Sequence, residues 1–288
     1  MMFLRAKERT IEIGDQPLLM GVVNVTPDSF FDGGQYTTTE AAVARAIRLA
    51  EEGADLLDIG AESTRPGSDP IDEEEELRRL IPVVQAVAKA VTIPISVDTM
   101  KSRVARAALE AGAVIVNDVS ALRADPSMAE VVALSEAGVV LMHMQGTPKT
   151  MHLAPSYDDV VGEVMEFFRE RMKYCSEHGI RQNQIALDPG IGFGKLLVHN
   201  LTLLGHLETF VVLDRPILVG VSMKSFIGRV LDRPVEERSW GTAAALAIAV
   251  SHGARILRVH EAGAMKDVVR MAAAIARYAP VLARAQHA

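Results

Sequence analysis

A chain of 288 residues that is 49% apolar can bury a substantial core, as two small domains or as one large α/β barrel. Its 30 Lys and Arg against 37 Asp and Glu give a net charge of −7, which offers no overall basic field to nucleic acid, so an anionic ligand must be held by local cations. The single cysteine, Cys175, excludes an internal disulfide and fits a reducing compartment.

The N-terminal MMFLRAKERT lacks the long apolar stretch of a secretion signal, and Ala243–Val250 is too short and Ala-rich to span a bilayer. A cytoplasmic protein without membrane or nucleic-acid partners is therefore expected. Residues 3–16 alternate loosely and predict a small β-hairpin. From there, short apolar runs alternate with helical patterns and no long linker intervenes. The predicted strands are Leu18–Val25, Leu56–Gly60, Ile95–Asp98, Val114–Asp118, Val139–Met144, Ile185–Asp188, Ile217–Val221 and Ile256–His260. Between and after them come helices over Thr39–Glu51, Asp72–Ala90, Lys101–Ala111, Ser127–Ala137, Tyr157–His178, Leu201–Phe210, Val235–His252 and Ala264–Tyr278. The second opens on an acidic turn that suits the helix dipole. Gly53, Gly112, Gly138, Gly179 and Gly253 stand where helices stop before the next strand. The strands are almost wholly apolar, as parallel strands buried on both faces should be. Eight β/α units near the usual barrel length predict a (β/α)8 TIM barrel with an N-terminal β-hairpin, one domain over residues 1–288. A doubly wound sheet would need a dinucleotide fingerprint or a break in composition, and neither is present.

In such a barrel the site lies where the strands end, and here those ends are polar. Ile185–Lys195, IALDPGIGFGK, leads from a buried strand through Asp188 into three alternating glycines, which require positive φ or close backbone approach. Asn24, Asp58, Glu62, Asp98, Asn117, His143, Asp188, Ser222, Lys224, Arg258 and His260 occupy comparable positions. Strand alternation places Arg258 with His260 on one face, and Ser222 with Lys224 on one face opposite to Met223. It turns Asp118 away from Asn117, which gives Asp118 a structural role. For Asp58 a buried ion pair and a ligand contact are equally open, and His143, between Met142 and Met144, reads as a satisfied core histidine. Zinc-ligand spacing and a Ser-His-Asp signature are both missing. The mixture of carboxylates, amide and cations suits a donor-rich heterocycle carrying a phosphate group.

The motifs MGVVNVTPDSFFDGG (Met20–Gly34), ESTRPG (Glu62–Gly67), SVDT (Ser96–Thr99), VND (Val116–Asp118), LMHMQG (Leu141–Gly146), DPGIGFGK (Asp188–Lys195), HNLTLL (His199–Leu204) and RVH (Arg258–His260) resemble, in order and over nearly the whole chain, those of the dihydropteroate synthase family of pterin-binding barrels. The resemblance implies condensation of a dihydropterin pyrophosphate with p-aminobenzoate, with release of pyrophosphate. It implies pterin binding by Asp98, Asn117, Met142, Asp188, Phe193, Lys224 and Arg258, with Lys224, Arg258 and Asp98 as the catalytic groups. Phe30, Thr64, Arg65, Pro66 and Ser222 would serve p-aminobenzoate and the loops that close over it. Asn24, Arg258 and His260 would hold pyrophosphate, with Asn24 as the ligand of Mg²⁺, and a homodimer is expected. The chain departs from the family pattern at Met223 (usually arginine), Ile191 (commonly phenylalanine) and Glu261 (aspartate). A catalytically weak pterin-binding paralogue and a methyltetrahydrofolate-dependent methyltransferase domain are the rival readings, and intact Asn24, Lys224, Arg258 and His260 argue against the former.

Overall fold

Strands that are apolar along their whole length need cover on both faces, and the chain supplies it by rolling its sheet up. The computed structural model describes residues 2–25 and 38–285. In it β3 (Leu18–Asn24), β4 (Leu56–Gly60), β5 (Ile95–Asp98), β6 (Ile115–Asp118), β7 (Gly138–Met142), β8 (Ile185–Asp188), β9 (Leu218–Gly220) and β10 (Ile256–Val259) pair in the order β8-β7-β6-β5-β4-β3-β10-β9. The pairs are parallel throughout. A parallel bridge between Leu187 and Ile217 joins the ends of the row, with the Leu187 N–H donating to the Pro216 carbonyl at 2.9 Å. This is the expected (β/α)8 barrel.

Alternation along the strands sorts their side chains into two sets. Leu19, Val23, Leu57, Ile59, Val97, Val116, Leu141, Leu187, Val219, Leu257 and Val259 point outward into one buried cluster with the helices. Met20, Leu56, Ile115, Val140, Ala186, Leu218 and Ile256 point inward at the N-terminal end of the barrel. The hairpin closes that end. β1 (Met2–Ala6) and β2 (Arg9–Ile13) pair antiparallel and bury Leu4, Ala6, Ile11 and Ile13 against the inward set.

The helical layer differs from the sequence reading in places with local causes. α1 (Thr38–Glu51) and α3 (Ser102–Ala111) lie as expected. α2 (Glu73–Ala90) starts after Asp72, whose carboxylate accepts from the Glu75 N–H at 2.7 Å, an N-cap. α4 (Met128–Leu134) is shorter than predicted, because Glu136 takes a left-handed conformation with φ of 52°. Gly138 therefore ends no helix: it opens β7, where a Cβ would come within 3.2 Å of the Ala6 Cβ and the Ile115 Cγ1. Its smallness makes room for the hairpin. α5 (Val160–Glu177) starts after Asp159, which accepts from the Val161 N–H. The helix expected over Leu201–Phe210 is α6 (Leu197–Gly205) followed by a 3₁₀ stretch, Leu207–Leu213. α7 (Ser225–Leu231), absent from the sequence reading, precedes α8 (Ser239–Ser251), and α9 (Ala262–Ala285) closes the chain.

Candidate active site

A strand advances about 3.3 Å per residue, so inward side chains two positions further along form the next layer up. Above Leu56, Ile115, Val140, Ala186 and Ile256 that layer is Asp58, Asn117, Met142, Asp188 and Arg258. An apolar floor thus becomes a charged mouth within one step of the pleat.

Arg258 organises one side of the mouth. Its Nε donates to Asp58 Oδ2 at 2.7 Å and its Nη2 to Asp98 Oδ2 at 3.0 Å. Asn117 Nδ2 donates to the same Asp58 oxygen at 2.9 Å. Of the two readings open for Asp58, the structure shows the buried ion pair: it fixes the plane of the guanidinium and the orientation of the amide. The second oxygens, Asp58 Oδ1 and Asp98 Oδ1, are buried and have no hydrogen-bond partner, and neither has the Ser96 hydroxyl. Such orphaned acceptors are costly in a finished core but are ready receptors for the N–H groups of a ligand. Burial and the neighbouring Asp58 charge push the Asp98 carboxyl above the usual carboxylate range, and Arg258 opposes them.

Asp188 and Lys224 organise the other side. Asp188 Oδ1 accepts from the Gly190 N–H at 2.7 Å, while burial raises its carboxyl against the pull of Lys224. Lys224 contacts the Ile191 carbonyl and stands 4.6 Å from the centre of the Phe193 ring. Burial lowers its ammonium to about 8, with Asp188 resisting and Arg258 assisting. The glycine reading of DPGIGFGK holds: Gly190, Gly192 and Gly194 all have positive φ, and a Cβ on Gly190 would overlap the His143 carbonyl. Two residues outside the predicted site hold this turn. Asn200 Oδ1 accepts from the Gly192 N–H at 2.6 Å. Lys195 Nζ lies 2.9 Å from His143 Nδ1 and donates to the Phe193 carbonyl at 3.0 Å, tying the ends of β7 and β8 together. His143 is thereby the satisfied, buried histidine expected of it; burial first, then Lys195 and Arg123, lower its ring to about 2.

At the rim, the Ser222 hydroxyl accepts from the His260 N–H at 3.3 Å and lies 3.0 Å from His260 Nδ1. A hydroxyl occupied in this way can give its own proton to Nδ1, which leaves the ring proton on Nε2. Burial, with Arg258, Arg65 and Arg45 around it, lowers the His260 ring to about 4, so at neutral pH the imidazole is an uncharged donor. Asn24 ends β3 beside Gly60, half-buried. Thr64, Arg65 and Pro66 follow β4, with Arg65 close enough for its charge to act on His260. Phe30 lies outside the described residues.

Strand alternation does not place Ser222, Met223 and Lys224. β9 ends at Gly220, so the pleat does not reach residues 222–224, and Met223 sits in a left-handed turn with φ of 59°. Ser222 and Lys224 enter the site from that turn, not from one face of a strand. Asp118, by contrast, is structural as expected: it accepts from the N–H groups of Ser120 and Leu122. The signal that would have found Asn200 and Lys195 was a polar residue with no surface to occupy, one inside HNLTLL and the other closing GFGK.

The model of the pterin binding enzyme family matches residues 20–260. A dihydropteroate synthase of Synechocystis is 43% identical over 265 residues, which cover 92% of each chain. The crystal structure of the Yersinia pestis dihydropteroate synthase with a sulfonamide drug complex superposes with a TM-score of 0.90 at 42% identity, covering 95% of this chain and 99% of that one. The Xanthomonas albilineans dihydropteroate synthase with 4-aminobenzoic acid gives a TM-score of 0.89 at 47% identity, over 95% and 98%.

Proposed function

The chain belongs to the pterin binding enzymes and, within them, to the dihydropteroate synthases, and from that premise we propose how its own residues carry the reaction. The enzyme condenses 6-hydroxymethyl-7,8-dihydropterin pyrophosphate with p-aminobenzoate to give 7,8-dihydropteroate and pyrophosphate. One C–O bond breaks, one C–N bond forms, and the aniline nitrogen loses a proton.

The observation that carries our assignment of roles is the pairing of buried, incompletely satisfied carboxylates with half-buried cations across one mouth. A pterin presents an exocyclic amine and a ring N–H side by side. Asp188 accepts from them, and the free oxygen of Asp98 takes a further donor, beside the amide of Asn117. Lys224 donates to the ring acceptors, Met142 and Phe193 pack the ring, and the Arg258 guanidinium, held flat by two carboxylates, lines its face. The leaving pyrophosphate meets Arg258 and the Nε2–H of His260. Thr64, Arg65 and Pro66, with Ser222, bound the aminobenzoate side. No residue is needed to deprotonate the nucleophile, because an aniline amine is already neutral at pH 7. We take the C–O bond to break ahead of attack, because the electron-rich pterin can carry the positive charge that develops, and positioning and electrostatics supply the rate.

Among the described residues no group of three or more His, Cys, Asp or Glu could hold a metal unaided. A single amide oxygen at the end of β3, the strand paired with the β10 that carries Arg258, nevertheless fits Mg²⁺, which keeps most of its waters and binds through few protein oxygens. Asn24 would hold it. When bound, the ion neutralises charge on the departing pyrophosphate. Pyrophosphate release from the two substrates, measured while Mg²⁺ is titrated, tests the whole assignment. Wild type should turn over, and Asn24→Ala should need more Mg²⁺. Identical activation curves would remove Asn24 from the metal site, and no turnover by wild type would remove the function.

A homodimer is supported by the apolar side chains that α7 and α8 expose, Val230, Leu231, Ile248 and above all Trp240, which is 86% exposed. Sedimentation equilibrium returning a monomer would reject it. A cytoplasmic location is supported by the lone, buried cysteine, and none of the described helices is long and apolar enough to cross a membrane.

A further inference from the structure

The acidic run Glu73–Glu76 looks like a solvated helix start, and most of it behaves as one. Glu73 and Glu74 pair with Arg103, and Glu75 with Arg78 and Arg79, at the surface. Glu76 does not. It is completely buried, and its Oε1 has no hydrogen-bond partner. Its Oε2 accepts from Lys101 Nζ at 2.6 Å, and the same ammonium contacts Glu62 Oε2. A surface helix has thus spent a buried carboxylate on holding one lysine, and that lysine on holding one loop.

The position of the loop gives the arrangement its meaning. Glu62 is the first residue of ESTRPG, two residues before Thr64. Lys101 stands just before α3, three residues after Asp98 at the end of β5. A void of about 10 Å³ is lined by Glu62, Thr64, Glu76, Asp98, Thr99 and Met100, so the ion cluster and the mouth share a wall. A buried pair of this kind adds little net stability over an apolar alternative but fixes geometry closely.

We propose that Lys101 is a positioning residue: anchored on Glu76, it tethers Glu62 and so sets where Thr64 and Arg65 enter the p-aminobenzoate side of the site. The inference rests on the reading of the 62–67 loop given above. Its alternative is that the cluster merely joins α2 to the base of α3.

Two variants separate these. Lys101→Met combined with Glu76→Gln removes the ammonium together with the buried charge that would otherwise be stranded, so the fold is kept. Glu62→Ala cuts the tether while leaving Lys101 on Glu76. Tethering predicts that both raise KM for p-aminobenzoate by about tenfold or more, the scale of a misplaced positioning group. In Glu62→Ala, affinity for the pterin pyrophosphate, measured by calorimetry, should stay within about twofold, because Asp98, Asp188, Asn117 and Lys224 and the Glu76 charge near Asp98 are untouched. Melting temperatures measured alongside show that the fold is retained. An aminobenzoate KM within about twofold of wild type in both variants overturns the proposal. Wild-type turnover in the same assay keeps that failure distinct from failure of the functional reading, which would show as no turnover at all.

Discussion

The two ends of the barrel are built on the same strands, one step of the pleat apart, and they obey opposite rules. At the hairpin end Met20, Leu56, Ile115, Val140, Ala186, Leu218 and Ile256 face Leu4, Ala6, Ile11 and Ile13, with no charge among them. At the mouth Asp58, Asp98 and Asp188 are withdrawn from water beside the half-buried Lys224 and Arg258, and oxygens of Asp58 and Asp98 are left without partners. Burial stabilises the first end directly. The second is held against a desolvation cost, and that cost is tolerable because the rest of the barrel supplies the stability. The difference assigns stability to one end and chemistry to the other, and each half of the claim can be broken separately.

The largest effect should come from Lys224. Lys224→Ala removes the half-buried donor on the Asp188 side of the mouth, and turnover should fall by about 10³-fold or more, the scale of a lost preorganised electrostatic group. The melting temperature should change little, because a desolvated cation leaves with it. The pH dependence sharpens the separation. The Lys224 pKa of about 8 in the folded protein lies below the ~10.4 of an unfolded chain. Between those values the unfolded state binds more protons, so this group's contribution to stability rises with pH; it is complete above ~10.4 and lost as pH falls through about 8. Activity should run the other way, with kcat/KM falling as pH rises through about 8 and the ammonium is lost. Denaturant titrations of wild type and Lys224→Ala across that window, beside a pH–rate profile, check both signs. Activity and the stability difference rising together would break the comparison.

The other end should show the converse. Leu4 is 1% exposed beneath the barrel floor. Leu4→Ala should cost about 2–5 kcal/mol in denaturant unfolding, the range for emptying a core leucine site. The kcat/KM of the folded fraction should stay within about twofold, because no hairpin residue reaches the mouth. A large kinetic effect without loss of stability would show the two ends to be coupled.

How much of this could be read from the chain follows from range. The β/α alternation is a local pattern, so β4, β5 and β8 fall where the apolar runs place them, and the inward parity of Asp98, Asn117, Asp188 and Arg258 follows from the same runs. Stops that depend on tertiary contact were less legible: α4 ends early at a left-handed Glu136, and Gly138 is small because Ala6 lies against it. α7 escaped notice because its seven residues follow Lys224, whose side chain is committed to the site and caps nothing. Within the site, residue types announced the ligands' partners but not the partners' partners. Asp58 under Arg258, Asn200 under Gly192 and Glu76 under Lys101 are legible only once distant segments meet.

Met223 tests the boundary between the two rules with the smallest expected effect. It lies beside Lys224, at the mouth, yet it belongs by contact to the scaffold. Its N–H donates to Thr242 Oγ1 at 3.1 Å and its carbonyl accepts from Arg238 Nη1 at 3.1 Å, so the turn is held by backbone atoms that any residue carries. The left-handed φ of 59° disfavours every L-residue with a Cβ. Methionine and arginine share an unbranched Cβ, so exchanging one for the other leaves that strain as it is. The half-exposed side chain also leaves a longer one free to extend toward water. Met223→Arg, which restores the residue common in the family, should therefore change unfolding free energy by no more than about 0.5 kcal/mol. It should change kcat/KM by no more than about threefold. An added cation beside Lys224 and Arg258 would matter far more if the side chain faced inward, since it would join the buried charges of the mouth. A gain of several orders of magnitude in kcat/KM would show that it does, and that the turn after β9 belongs with the chemistry and not with the scaffold.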